Sequence, residues 1–299
     1  MYFNKAASVL YGTIATAACF FLFACGSSTH NSEQKDVASV KDTASHTGSG
    51  DGQTEQTTYT LPSPIQIASI FKKAGLIYYP NITNSAENAS KYNAGKVSES
   101  LNLGVYSADL SYCALNKQNQ DSRNYLKASR QLAEQLGLGK VFETDNLAGR
   151  FESNLGQEDS LGPIIADMEM QTDLILEEHE QEYISATVFA GAWIESMYIG
   201  GKVFEKGKAK NVSSHLIEQM AIAQNIIKAL KSNEAKDAGI PGVIADISSI
   251  RDLFENFEGM KAISKDRDEV DFSKIAITDA EMDGFIKKID EIRAKIVKG

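Results

Sequence analysis

Leu103-Gly104-Val105-Tyr106-Ser107-Ala108-Asp109-Leu110 and Val188-Phe189-Ala190-Gly191-Ala192-Trp193-Ile194-Glu195-Ser196-Met197-Tyr198 are the two stretches on which the fold turns. Both are apolar runs longer than a strand needs, and both carry small residues about one helical turn apart: Gly104 and Ala108, then Ala186, Ala190 and Gly191. Small side chains at a helix contact shorten the distance between axes. The two segments are therefore expected to be helices that form the central packed pair.

The pattern around them is helical throughout. Ser63 suits an N-cap, Pro64 the first helical position and Gly75 the stop of a helix whose stripe is Ile67, Ile70, Phe71 and Ala74. After an exposed turn at Tyr79-Pro80-Asn81, the 3.6-residue period recurs over roughly 85–116, 120–136, 145–154, 163–181, 183–200, 212–232, 241–258 and 279–297. Gly137 and Gly200-Gly201 read as stops. Thr278 and Glu281 form a capping box before the stripe Met282, Phe285, Ile286, Ile289, Ile292 and Ile296. Val270–Ile277 is the one stretch with strand character, and it has no evident partner. The class is all-α, a single helical bundle of about eight helices over residues 61–299. Gly104-Val105-Tyr106 is echoed by Gly191-Ala192-Trp193, but the offset exceeds the periods of short helical repeats, and coincidence is the better reading.

The N-terminus is of another kind. Lys5 precedes an almost unbroken apolar run from Ala6 to Ala24, closed by Leu22-Phe23-Ala24-Cys25-Gly26. Leu22, Ala24 and Cys25 resemble the lipobox of bacterial lipoproteins. The resemblance implies cleavage before Cys25, diacylglycerol on its sulfur and an acyl chain on its α-amine. The run is just long enough to span a bilayer. The short n-region, the small residue before the cysteine and the polar tract without a basic cluster favour a signal peptide, residues 1–24. Gly26 in place of an aspartate points to the outer membrane. Without an acidic cluster after Cys25, the periplasmic face is favoured.

From Ser27 to about Thr60 only Val37, Val40 and Tyr59 are larger apolar residues. Such a segment cannot offset its ordering entropy, so residues 25–60 are expected to be an acylated, disordered tether spanning roughly 30 Å.

Composition excludes several functions. The formal charge is −10 and no stripe of Lys and Arg appears, so no nucleic-acid partner is expected. Of three cysteines, Cys19 leaves with the signal and Cys25 is acylated, leaving Cys113 with no intramolecular partner. It reads as an inert core thiol. There is no HExxH and no paired Glu-x-x-His. Gly48-x-Gly50-x-Gly52 is linker composition. Ser69-Ile70-Phe71-Lys72 lacks the partner motifs of penicillin-binding enzymes. Asp266-x-Asp268-x-x-Asp271 lacks the glycine and glutamate of a calcium loop. His30 and His46 fall in the tether, His179 lies on an acidic hydrated face, and His215 serves a helix start. Neither a cofactor nor a metal site is expected.

Two acids remain inside apolar stretches, Asp109 and Glu195. A buried carboxylate must find a partner. With Tyr106, Tyr112, Trp193 and Tyr198 nearby, these acids are candidates to anchor a small ligand, with Asp109, Glu195, Tyr106, Trp193 and Tyr198 as its contacts. The competing reading is a carboxylate hydrogen-bonded within the fold.

The lipobox, the tether and the segment from Asn102 to Tyr112 together resemble a group of lipoproteins of Bacteroidetes-type bacteria. That resemblance brings no catalytic residues to transfer. It implies that Asp42-Thr43-Ala44 is similar to the O-glycosylation pattern of those bacteria. The expected function is that of a lipid-anchored cell-envelope protein with a binding or scaffold role, held to the membrane by its lipid and offering helical faces to an envelope protein partner. A small-ligand-binding lipoprotein is the alternative. An enzyme comes last, because no base, nucleophile and stabilising group can be assembled.

Overall fold

The computed structural model describes residues 61–207, 210–261 and 275–299. The signal peptide, Cys25, the tether with His30, His46 and Asp42-Thr43-Ala44, and the Asp266-Asp268-Asp271 turn lie outside the described residues. Among those that are described, every regular element is helical. The expected strand is not seen: 270–274 lie outside, and Ile275–Ile277 is irregular.

The chain opens with α1 (Pro64–Lys73), where Ser63 and Gln66 complete a capping box. Ile65, Ile67 and Phe71 face inward, whereas Ile70, expected in the stripe, is 36 % exposed. A short 3₁₀ turn (Ala86–Lys91) precedes α2 (Lys96–Leu115). The single helix expected over 85–116 is broken because Gly95 takes φ +118° before α2. There follow α3 (Asn119–Gln135), α4 (Leu147–Ser153) and α5 (Glu158–Glu178). Pro163 lies inside α5 rather than at its start, because Gln157 already accepts the amides of Ser160 and Leu161. His179 sits beyond the end of α5, its Nδ1 2.6 Å from the carbonyl of Ile175.

Helix α6 (Glu182–Gly207) runs through Gly200-Gly201 instead of stopping there. These glycines are contact residues. A Cβ on Gly200 would lie 2.9 Å from Leu216, and one on Gly201 3.2 Å from Ile286. The pattern at 212–232 divides at Gln219 into α7 (Lys210–Glu218) and α8 (Met220–Lys231). His215 therefore stands in the last turn of α7, against Glu218 at 2.6 Å, and not at a helix start. The chain closes with α9 (Ile240–Glu255), α10 (Glu258–Lys261) and α11 (Asp279–Lys298), the last begun by the expected Thr278–Glu281 capping box. No helix among the described residues is long and apolar enough to cross a membrane.

The centre is the α2–α6 pair. From Ser100 to Leu115 every residue of α2 except Ser107 is buried, and α6 is buried on all sides from Phe189 to Met197. A helix without a polar face must be enclosed by others. Helices α1, α3 and α5 pack on α2, and α7, α8 and α11 pack on α6. The pair meets backbone to backbone. A Cβ on Gly104 would fall 1.9 Å from the Val188 carbonyl oxygen, and one on Gly191 2.1 Å from that of Leu101. This is the close approach that the small residues imply. Cys113 is buried in α2, where burial pushes its thiol far above the ordinary range.

Two glycine substitutions separate close approach from helix propensity. Gly191→Ala should lower the unfolding free energy by at least about 1–3 kcal/mol, because the added carbon meets backbone that cannot move aside. Gly284→Ala, in α11 with nothing within 4 Å, should raise it by about 0.5–1 kcal/mol. Urea titration of both variants checks the pair, and a neutral Gly191→Ala would contradict the arrangement.

Candidate functional site

Asp109 and Glu195 are both fully buried and come together where α2, α6 and α11 meet. Glu195 is not left alone. Arg293 of α11 donates to it twice, Nε to Oε2 at 2.9 Å and Nη2 to Oε1 at 3.0 Å. Such a two-point pairing of guanidinium and carboxylate is both strong and oriented. Burial works against the Arg293 cation, but the charge and hydrogen bonds of Glu195, with smaller help from Asp109 and Tyr198, together outweigh it and raise the guanidinium above its ordinary value. The other side of the Arg293 plane lies on Tyr198, 4.3 Å from the ring centroid.

Asp109 is held differently. Its Oδ2 accepts the amide of Asn84 at 3.1 Å, while its Oδ1 has no donor. Burial, and then the neighbouring Glu195 charge, raise Asp109 well above the usual carboxylate range, so it keeps its proton. The protonated group then donates to Glu195, which accounts for the oxygen without a donor. Asn84 ties the region together: its Nδ2 donates to Tyr92 Oη (2.9 Å) and its carbonyl accepts from Tyr125 Oη (2.7 Å). Tyr106 Oη donates to the Ser85 carbonyl at 2.8 Å. Trp193, two residues from Glu195 and so on another side of α6, is fully buried.

Of the five residues expected around a ligand, the structure thus brings Asp109 and Glu195 together, lays Tyr198 against the guanidinium that pairs with Glu195, puts Tyr106 on the neighbouring Ser85 carbonyl, and sets Trp193 apart. Arg293 was missed by sequence reasoning. It stands seven residues after Ile286, within the register of the apolar stripe of α11, and a cation in that register signals a buried partner.

A largely apolar cavity lies elsewhere, and none of these five residues lines it. It has a volume of about 160 Å³, is open on one side, and is lined by residues of α1, α2, α3, α5, α6 and the Val141-Phe142 turn. Leu103, Leu110, Phe142, Ile165, Val188 and Phe189 give it an apolar wall. Its polar groups were also missed. Glu169 and Asp173 follow Ile165 by four and eight residues, so Glu169 shares the inward register of α5 while Asp173 has drifted to its exposed edge. Glu169 Oε1 accepts the amide of Ile65 at 3.4 Å, and its Oε2 is buried without a partner. Burial raises the Glu169 carboxyl to about 8, against the partial relief of the Ser63 hydroxyl and the Ile65 amide. Asp173 stands at the open side and accepts from Ser185 Oγ at 2.5 Å. Ser129 Oγ is buried on the wall with no partner. No group of three metal-ligating side chains occurs among the described residues.

No family model matches the chain, and neither a curated protein nor a solved structure is similar to it.

The two carboxyl sites call for different measurements. Arg293→Met strands a charge inside the protein and should cost about 3–5 kcal/mol. Asp109→Asn supplies a donor to Glu195 and an acceptor for Asn84, so it should stay within about 1.5 kcal/mol of wild type by urea titration. Equal losses would contradict a protonated Asp109. Glu169 binds its proton more tightly when folded than when unfolded, so its contribution to stability is present below about pH 4.5 and is lost as pH rises toward 8. Glu169→Gln should flatten the fall in melting temperature between pH 5 and pH 8; an unchanged slope would assign the titration to another group.

Proposed function

We propose that this chain is a lipid-anchored binding protein of the cell envelope, tethered through Cys25 to the outer membrane on its periplasmic side, and that its helical domain holds a small ligand in the cavity beside Glu169. One observation carries the reading: a largely apolar, partly open cavity of about 160 Å³ with two buried polar atoms, Glu169 Oε2 and Ser129 Oγ, that no protein group satisfies. Buried polar groups in folded proteins are nearly always paired, and an unpaired one calls for an explanation. A largely apolar space with a few convergent polar groups is the usual form of a small-molecule site.

The Glu195 cluster supports the same assignment by contrast. There a carboxylate, a guanidinium and a protonated acid satisfy one another, which suits a structural role. The lipobox at Leu22–Cys25 and the polar tether support the anchor. Two or three acyl chains hold far more firmly than one.

The test takes the full chain in detergent from cells fed an alkyne fatty acid. Wild type should carry the label and Cys25→Ser should not. The thermal midpoint of the labelled protein is then followed against a panel of small amphiphiles. A true ligand at a hundred times its dissociation constant should raise it by about 5–10 °C. Ser129→Leu, which fills the cavity, should remove that shift. A shift that survives Ser129→Leu would place the site elsewhere, and a label that survives Cys25→Ser would refute the anchor.

A further inference from the structure

The lining of the cavity has a chemical bias that narrows its occupant. Two carboxyls face it, Glu169 and Asp173, and no Lys, Arg or His does. The hydroxyls share the bias. Ser107 Oγ donates to the Leu103 carbonyl (2.9 Å), Thr172 Oγ1 to that of Met168 (2.8 Å), and Ser185 Oγ to Asp173. Their protons are committed to the protein, so what they turn to the cavity is lone pairs. Glu169 Oε2 and Ser129 Oγ add two buried acceptor atoms with no partner. The wall therefore accepts hydrogen bonds at several points, its uncommitted protons are those of the Ser129 hydroxyl and of Glu169 while that carboxyl is protonated, and the only charge its side chains can carry is negative.

An anion is repelled by such a lining. A neutral apolar molecule leaves the acceptors unsatisfied, which costs binding free energy at each of them. A group with several N–H donors and a positive charge answers both features. The space sets the size, since a cavity of about 150 Å³ accommodates benzene.

We propose that the cavity between α1, α2, α3, α5 and α6 takes a small organic ammonium ion on an apolar body the size of a benzene ring, with its charge on Glu169 and its N–H groups on the lining oxygens. This rests on the binding role proposed above and specifies its ligand class. Asp173, at the open side, draws the cation in. Glu169 receives it at the wall that α1 and α5 share, where the Ile65 amide and the Ser63 hydroxyl already steady the carboxyl.

The proton balance follows from the groups that face Glu169. Ser63 and Ile65, at the start of α1, reach the carboxyl itself; the cavity lining adds Ser107 of α2, Ser129 of α3 and Ser185 of α6, and Asp173 of α5 is the sole other ionisable acid or base in it. At pH 7 the free carboxyl is mostly protonated. An arriving ammonium ion pairs with the carboxylate, and the carboxyl proton leaves to solvent, at most one for each ligand bound. Affinity therefore rises with pH, approaching tenfold per unit between pH 6 and pH 8, and levels off above.

Titration calorimetry on the full chain in detergent, with benzylamine, benzyl alcohol and toluene as probes, tests this. Benzylamine should bind at least tenfold more tightly than either neutral probe at pH 8, should lose that advantage toward pH 6, and should release a proton measurable from the dependence of the heat on the buffer. Glu169→Gln should remove both the tenfold preference and the proton release. The comparison of probes and the pH series need no variant, so they stand even if Glu169→Gln folds poorly. Equal binding of all three probes, or a benzylamine affinity independent of pH, overturns the ammonium assignment while leaving the cavity a binding site. Binding of none of them at millimolar concentration overturns the binding role as well.

Discussion

The pairing of Glu195 with Arg293 is the interaction on which the rest of the domain depends. Helix α6 is buried on every side, yet it carries a carboxylate at its centre with no exposed surface. Removing such a charge from water costs several kcal/mol unless a partner comes with it. Arg293 is that partner, and reaching it fixes where α11 lies along α6. Asp109, fully buried and beside the Glu195 charge, then keeps its proton. Tyr198 takes the outer side of the same cation. Three helices are thereby held in one register by a single charge.

The same physics distinguishes the two acidic places in the molecule. At Glu195 the chain itself supplies the complement of the carboxylate. At Glu169 one oxygen is engaged by the start of α1 and the other is buried without a partner from the chain. The contrast does not lie in how acidic or how deep each site is. It lies in whether the chain itself supplies the countercharge.

The all-α class was legible because the 3.6-residue period persists in nearly every segment and the caps at Ser63 and Thr278 are explicit. The central pair was legible because Gly104 and Gly191 are small where the surrounding residues are large. What misled was glycine in another setting. Gly137 ends its helix with φ +82°, whereas Gly200-Gly201 merely let Leu216 and Ile286 approach. Local sequence does not separate a stop from a contact, because the difference lies in a partner remote along the chain. Asp109 and Glu195 stood out as acids in apolar runs. Glu169 did not, since in Met168-Glu169-Met170-Gln171-Thr172-Asp173 it has polar company and only its register with Ile165 gives it away. That Arg293 would answer Glu195, and not a Tyr or Lys, depended on how α11 crosses α6.

The backbone contact of α2 with α6 also constrains how the domain comes into being. Gly104 and Gly191 stand 87 residues apart, and neither helix has a side suited to water. A nascent chain that has produced α2 and α3 but not α6 exposes an apolar surface with nothing to cover it. Contacts of such long sequence separation delay collapse, because the loop between them must close before burial rewards it. The first half of the domain is thus a sticky intermediate by construction. Until residue 191 and its neighbours have arrived, the face of α2 that Gly104 opens has no partner within the chain, so the order of synthesis leaves the centre of the domain to be completed late.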